Sequence, residues 1–317
     1  MALASAMATQ GSVALRCPAC GAPAGALDSI ARCTCGFAFE VREGIVGALA
    51  PERAAYYARF LEEYGAIRKQ EGRGSGDPEF YLALPYRDRT GRNSGQWRMR
   101  ARSFDYFAAR VLPGLAAGRR LDILDLGAGN GWMSYRLALE GHRPVAVDIS
   151  TDAQDGLGAA RHYVADGRAR FPRFQAELER LPFEEGQFDL AVFNSSFHYA
   201  TSYDRVLEEA RRCSKRSGAV VILDTPIYRR FEHGARMREE RHRDFAARYG
   251  FRSDSVPSME FLDEATIEDL ARRFSLAWRI YRPWYGLRWH ARPLTARLRG
   301  RRPPSRFALL VGTWGRA

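Results

Sequence analysis

Between positions 121 and 224 the chain alternates two kinds of apolar pattern. Short strand-like runs rich in apolar residues stand at 121–126, 144–147, 171–177, 190–193 and 218–224, unbroken at 144–147 and 190–193, and between them apolar residues recur at helical spacing. An uninterrupted short run suits a strand buried on both faces, whereas recurrence every three or four positions suits a helix with one buried side. The helix predicted over 132–140 carries Trp132, Tyr135, Leu137 and Leu139 broadly on one side and ends at Gly141. A second is predicted over 204–216, ending in basic residues. Strand and helix in alternation predict an α/β fold built on a parallel sheet.

Upstream, Pro51 opens a helix predicted over 52–70, with Tyr56, Phe60, Tyr64 and Ile67 near one face. The stretch 71–78, EGRGSGDP, is loop, and a further helix is predicted over 96–112 with Phe104, Phe107 and Val111 as its buried stripe. The expected organisation is a small unit with a disordered tail at 1–50, a helical lid or linker at 51–118 and a main domain at 119–317.

The first strand meets its helix through Gly127-Ala128-Gly129-Asn130-Gly131. Glycine tolerates positive φ and has no Cβ, so a ligand can lie against this backbone, while the helix start offers unpaired N–H groups. The second strand ends on Asp148, where a doubly wound unit places the carboxylate that binds a ribose. A dinucleotide fingerprint needs G-x-G-x-x-G, and Trp132 stands where its third glycine belongs, which counts against NAD or FAD.

The run Asp125-Leu126-Gly127-Ala128-Gly129-Asn130-Gly131 instead resembles motif I of class I S-adenosylmethionine-dependent methyltransferases, and the strands and helices of 121–224 follow that family's spacing. The resemblance implies a Rossmann-like, seven-stranded, mostly parallel sheet whose last strand, RFALLVGTW at 306–314, is inserted antiparallel. It implies S-adenosyl-L-methionine as cofactor, with Gly127, Ala128, Gly129 and Gly131 making room for its amino-acid moiety and Asp125 orienting the turn. Asp148 and Ile149 would meet the ribose, Glu177 and Leu178 the adenine, and Asn194 and Ser195 would lie close to the donor methyl. Glu177 departs from the Asp usual in the family. Segment 86–97 is expected to contribute a lid.

Methyl transfer mainly requires donor and acceptor to be held in line, with a base where the acceptor carries a proton. His198, just after the fourth strand, and Tyr228, after the fifth, are the candidate catalytic residues, and each could equally be a packed structural side chain. Asn194-Ser195-Ser196-Phe197 lacks the Asn/Asp-Pro-Pro-aromatic pattern of enzymes acting on exocyclic amines of bases. None of the five cysteines is placed as the nucleophile of a cytosine C5 enzyme. The His198 loop, the Tyr228 loop and an insert at 284–302 are expected to converge on an aromatic, arginine-lined acceptor pocket.

Four cysteines fall in the first 35 residues, as CPAC at Cys17 and Cys20 and CTC at Cys33 and Cys35. Two close pairs across a short loop suit a structural zinc held by four thiolates, with disulfides or an empty reduced site as the alternatives. Gly21 and Gly36 follow the pairs, where a turn can aim backbone N–H groups at sulfur. The stretch resembles the zinc ribbons fused to some methyltransferases, including bacterial enzymes that modify ring nitrogens of ribosomal RNA guanines. Cys213 reads as a packed thiol.

Composition adds a bias without a partner. Of 49 basic residues, all but Lys69 and Lys215 are Arg, and the formal charge of +12 raises the prospect of an anionic partner. Nine arginines fall between Arg279 and Arg306 with no acidic residue among them. No run reaches the roughly 18 apolar residues of a membrane span. The opening MALASAMATQGS lacks a secretory pattern, so a cytoplasmic address is expected. The acceptor expected is a small molecule or a metabolite carried in a biosynthetic pathway. The alternatives are an RNA methyltransferase acting on a ring nitrogen or sugar, or a non-catalytic cofactor-binding or scaffold protein.

Overall fold

The computed structural model describes residues 13–27 and 32–315, so the expected tail at 1–12 lies outside the described residues. The strands are Ala14–Arg16 (β1), Pro23–Ala26 (β2), Glu40–Arg42 (β3), Ile45–Gly47 (β4), Asp122–Leu126 (β5), Arg143–Asp148 (β6) and Arg173–Gln175 (β7). They continue with Phe188–Asn194 (β8), Ser214–Leu223 (β9), Ile227–Tyr228 (β10), Leu262–Asp263 (β11), Leu276–Tyr281 (β12) and Leu309–Trp314 (β13). Four helices matter most for the site: Pro51–Gln70 (α1), Ser94–Tyr106 (α2), Trp132–Leu139 (α3) and Tyr203–Cys213 (α4).

The main sheet runs β12-β13-β9-β8-β5-β6-β7-β4-β3. β5 through β9 are mutually parallel, and β13 enters antiparallel between β9 and β12. The expected seven strands are therefore present, and the segment before α1 lengthens the sheet by two. β4 pairs parallel with β7, Ile45 opposite Arg173, and β3 folds back antiparallel on β4.

Side chains of successive strand residues point to opposite faces, and both faces here are covered. Leu124 and Leu126 of β5 join one buried cluster, whereas Ile123 joins the other. Ala191 and Phe193 of β8 split from Leu190 and Val192 in the same way. That is why these strands read as largely apolar runs rather than as an alternation of apolar and polar residues. Order β8-β5-β6 places β5 between connections that leave in opposite directions, so a crevice opens at the carboxyl ends of the strands.

The amino-terminal segment shares the main core. Leu15 bridges Phe183, the Arg16 N–H donates to the Pro182 carbonyl at 3.1 Å, and the Glu184 N–H to the Ala14 carbonyl at 3.0 Å. Cys17, Cys33 and Phe39 belong to the cluster that holds Phe174, Phe183 and Phe188. The Phe183 ring lies edge-on to Phe174 and Phe188, at 4.9 and 5.2 Å between centroids.

Two element boundaries and one helix face differ from the sequence expectation. α4 stops at Cys213 because Ser214 turns its hydroxyl back onto the Ala210 carbonyl at 2.6 Å and starts β9. β7 covers three residues, since the Ala176 N–H closes the strand on the Asp148 carbonyl at 3.1 Å and the chain then leaves the sheet. Leu139 is 39% exposed, and the buried side of α3 is carried by Trp132, Met133, Tyr135 and Leu137.

Phe183→Ala removes the ring that joins the ribbon to the sheet, and should destabilise the whole chain by about 3–5 kcal/mol, read from the urea midpoint at unchanged slope. A loss below about 1 kcal/mol would show that the ribbon rests on the sheet without sharing its core.

Candidate active site

The crevice at the strand tips is a cleft of about 900 Å³. Of the residues singled out in the sequence, Asp125, Gly127, Ala128, Gly129, Asp148, Ile149, Leu178, Asn194 and Ser195 line it. Gly131 stands behind them at the cap of α3, with φ +78°. Gly127, at φ +74°, can be nothing else, because an added Cβ would lie 2.3 Å from Cβ of Ser196. At Gly129, φ +55°, an added Cβ meets nothing nearer than the Asp155 carbonyl at 3.8 Å, so a side chain there would enter the cleft.

Two carboxyls, buried Asp125 and half-buried Asp148, face this turn from neighbouring strands. Asp125 is 1% exposed and accepts the Ser134 hydroxyl through Oδ2 at 2.6 Å, while its Oδ1 has no partner. Burial pushes its pKa up to about 7; the Ser134 bond opposes the rise, and the charge of Asp148 adds to it. Asp148 accepts the Gly129 N–H at 2.7 Å and the Ser150 N–H at 2.8 Å, and burial raises its pKa too. Asn130 Oδ1 accepts the Trp132 N–H at 3.2 Å, bracing the start of α3.

The roof comes from segments that the sequence reading left vague. α1 supplies Phe60, Leu61, Tyr64 and Arg68, and α2 supplies Arg100. Phe60, Tyr64 and Arg68 recur every four residues, and that stripe was the available signal. The expected lid segment 86–97 does not line the cleft. Arg68 forms an ion pair with Asp155. Arg100 has no acidic partner among the described residues; its Nη2 lies 3.4 Å from the Ser195 hydroxyl and its guanidinium 4.8 Å from the Trp97 ring centre. No periodicity marks Arg100, because one arginine among many carries no signal until the fold aims it.

Glu177 is placed outside the lining. Its carboxylate is forked by Arg53 of α1, with Nη2 at 2.6 Å and Nε at 2.9 and 3.0 Å, and it also accepts the Tyr57 hydroxyl at 3.1 Å. With both oxygens engaged and only 5% exposure, it serves in this structure to hold α1 down rather than to face the cleft.

The two candidate catalytic side chains are also elsewhere. His198 is 7% exposed and absent from the cleft wall, with Nδ1 3.5 Å from the Thr225 hydroxyl. Burial pulls its pKa down to about 3, and Arg241 and Arg100 push the same way, which makes it a poor proton acceptor. Tyr228 is 3% exposed, and its hydroxyl accepts from Arg302 at 3.2 Å. The 284–302 insert does not reach the cleft either. Tyr285 and Trp289 line a second, apolar cavity with Ile227 and Phe307, because the Tyr285 hydroxyl is tied to Ser103 at 2.8 Å and Trp289 packs 5.2 Å from Phe307.

In the ribbon, the ligand atoms of Cys17, Cys20, Cys33 and Cys35 all lie within 4.8 Å of one another. Sulfur pairs stand 3.6 Å (Cys17, Cys35) and 3.5 Å (Cys20, Cys33) apart, and all five cysteines of the chain are free thiols, so neither expected pair is a disulfide. The N–H groups of Gly21 and Gly36 go to the carbonyls of Cys17 and Cys33, both at 2.8 Å, rather than to sulfur. Backbone N–H groups of Ala19 and Cys20 meet the Cys17 sulfur, and that of Cys35 meets Cys33. Cys213 is fully buried, and burial pushes its thiol up to about 12. Among the described residues no helix is long and apolar enough to cross a membrane.

Residues 124–222 match the family described as a methyltransferase domain. The chain is 32% identical over 113 residues to the malonyl-[acyl-carrier protein] O-methyltransferase of Erwinia pyrifoliae, covering 36% of this chain and 40% of that protein. It is 31% identical over 166 residues to the enzyme of the same name from Geobacter sulfurreducens, covering 46% and 59%. The chain thus spans about half the length of the curated relatives it matches. Among solved structures it is similar to the 1,6-didemethyltoxoflavin-N1-methyltransferase of Burkholderia thailandensis, crystallised with 1,6-didemethyltoxoflavin and S-adenosylhomocysteine. That similarity is at 17% identity and a TM-score of 0.45, covering 80% of this chain and 90% of that one.

A depressed histidine pKa has a sign that can be tested. The unfolded chain binds a proton at His198 near pH 6.5 and the native chain only near pH 3, so His198 favours the native state above that window and ceases to as pH falls through it. Imidazole NMR signals followed from pH 8 to 5 should show no titration of His198; a midpoint above about 6 would restore it as a base.

Proposed function

We propose that the chain is an S-adenosylmethionine-dependent methyltransferase acting on a small or carrier-borne acceptor that bears a carboxylate or similar anionic group. The observation that carries the cofactor reading is the unpartnered Oδ1 of buried Asp125, beside a glycine turn that leaves room for a ligand. The cofactor has an ammonium group that this oxygen can accept from, and when bound it supplies an activated methyl on a positively charged sulfur. Asp125 and Asp148 favour that positive charge. Gly127 and Gly129 keep the turn open, Asp148 and Ile149 take the ribose, and Leu178 with Ala176 forms the apolar wall for the adenine. Glu177 contributes by holding Arg53, and so α1, over the cleft.

Arg100 is the group we assign to the acceptor. It is half-buried, has no acid of its own and reaches Ser195 at the tip of β8, so an anionic acceptor would complete its pairing and be held near the donor. A carboxylate is already deprotonated at neutral pH and needs no general base, which agrees with a buried His198 that does not readily take a proton. The curated relatives named above act on malonyl-[acyl-carrier protein], whose malonyl group ends in a carboxylate.

The four-thiol cluster suits a structural zinc. Zn–S bonds of about 2.3 Å place tetrahedral sulfurs about 3.8 Å apart, near the 3.5 and 3.6 Å found here, and four protein ligands leave no open position for chemistry.

Two experiments follow. Calorimetry should show S-adenosylhomocysteine binding that Gly129→Val abolishes, with a lowered melting temperature from the strained backbone at φ +55° but a cooperative transition that shows the variant still folds. Labelled S-adenosylmethionine incubated with fractionated extract should then mark anionic small molecules or carrier-bound acids, at least about 100-fold less efficiently with Arg100→Gln while cofactor affinity is kept. Label confined to RNA would overturn the acceptor class, and cofactor binding with no labelled product in any pool would favour a non-catalytic protein. Separately, elemental analysis should find about one zinc per chain, lost in Cys17→Ser; a folded, zinc-free wild-type chain would refute the metal.

A further inference from the structure

The insert after β12 presents an apolar stripe to the outside. Leu287–His290 and Arg292–Leu298 form two short helices joined at Ala291, and Leu287, Ala291, Leu294 and Leu298 fall at i, i+4, i+7 and i+11, one face of a continuous helical path. The three leucines are 79%, 62% and 78% exposed. The rotation of the helix is fixed from beneath. Trp289 packs on Tyr285 and Phe307 at 5.3 and 5.2 Å, the Arg292 guanidinium stacks 3.1 Å from the Trp289 ring centre, and its Nη2 donates to the Ser305 carbonyl at 2.6 Å. The leucine face is thus the side left over after packing, with nothing among the described residues to cover it.

Arginines flank that face. Arg288 and Arg299 stand on one side of the stripe and Arg297 on the other, all exposed, and none forms an ion pair among the described residues. No acidic residue occurs from Arg279 to Arg306. Trp284, 60% exposed and stacked on His290 at 4.2 Å, sits at the edge of the stripe. An outward apolar strip with a cationic border and an interfacial indole is the arrangement that lies in the headgroup region of a bilayer.

We propose that this insert docks the protein on an anionic lipid surface, with Leu287, Leu294 and Leu298 inserted at the headgroup boundary and the arginines on lipid phosphates. Charge selects this occupant. A second copy of the chain would bring two arginine borders together, and an RNA would neutralise the arginines while leaving the leucines in contact with phosphate and water. A chain of hydrogen bonds links the base of the insert to the helix that lines the cleft. Tyr285 at the base of the insert is hydrogen-bonded to Ser103 of α2, which donates to Asp224 at 2.5 Å, and α2 carries Arg100 into the cleft one turn earlier.

The test uses the full chain and vesicles of phosphatidylcholine, alone or mixed with phosphatidylglycerol. The protein should sediment with the anionic vesicles and not the neutral ones, with tryptophan emission shifting to the blue. Leu294→Asp with Leu298→Asp should weaken that binding at least about tenfold without altering S-adenosylhomocysteine affinity. Arg297→Gln with Arg299→Gln should weaken it and flatten its salt dependence. Absence of sedimentation with anionic vesicles at low salt would overturn the proposal. So would binding indifferent to the Leu→Asp changes, retention on RNA in place of vesicles, or leucine-dependent dimers with no vesicle affinity.

Discussion

Two carboxyl groups at the tips of adjacent strands, one buried and one half-buried, set the terms for the site. Asp125 on β5 and Asp148 on β6 are held beside one glycine turn, where burial raises the cost of ionising Asp125 and the charge of Asp148 adds to it, while burial and the charge of Asp155 raise that of Asp148. Asp125 therefore favours the native state only while it keeps its proton. As pH rises from the ordinary carboxylate range through about 7, the native chain loses that advantage. A cationic ligand removes the conflict, because a positive charge against Asp125 replaces the missing water. Backbone donors already satisfy Asp148 through Gly129 and Ser150, so the open valence belongs to Asp125.

Everything around the pair depends on that arrangement. Ser134 reaches Asp125 because α3 starts at the turn that Gly131 caps, and the turn can run so close to β8 only because Gly127 has no Cβ to strike Ser196. Across the cleft, α1 is fastened through Arg53 to Glu177 and through Arg68 to Asp155, so the roof is attached to loops that leave the same sheet edge. The ribbon acts at one remove. Its β1 edge is stitched to 182–184, the segment just after Glu177, and β4 extends the sheet beside β7.

The alternation of strands and helices was legible in the sequence because both faces of the sheet are buried, which leaves runs such as 144–147 and 190–193 without polar interruption. The glycine turn was legible because its backbone demands are local. What escaped were the long-range charge contacts. Glu177 at a strand end looks the same in sequence whether it faces a ligand or Arg53, which lies 124 residues away. His198 follows a strand where a base would be useful, yet its chemistry is set by desolvation, which no local pattern reports. The insert was misjudged for the same reason. Tyr285 and Trp289 do pack inward, but onto Phe307 and Ser103 rather than toward the cleft, and the leucine stripe became visible only once Trp289 and Arg292 fixed which side faced in.

The central claim, that Asp125 is the open valence filled by a cationic cofactor, is tested most directly by counting protons. Calorimetric titration of S-adenosylhomocysteine at pH 6 in two buffers of different ionisation enthalpy measures protons exchanged on binding. With a free-protein pKa near 7, Asp125 is mostly protonated at that pH, and accepting the ligand ammonium forces it to ionise. The account predicts release of most of one proton per ligand, and none from Asp125→Asn. Binding with no proton release in the wild-type chain, or with the same release in the Asn variant, would contradict it.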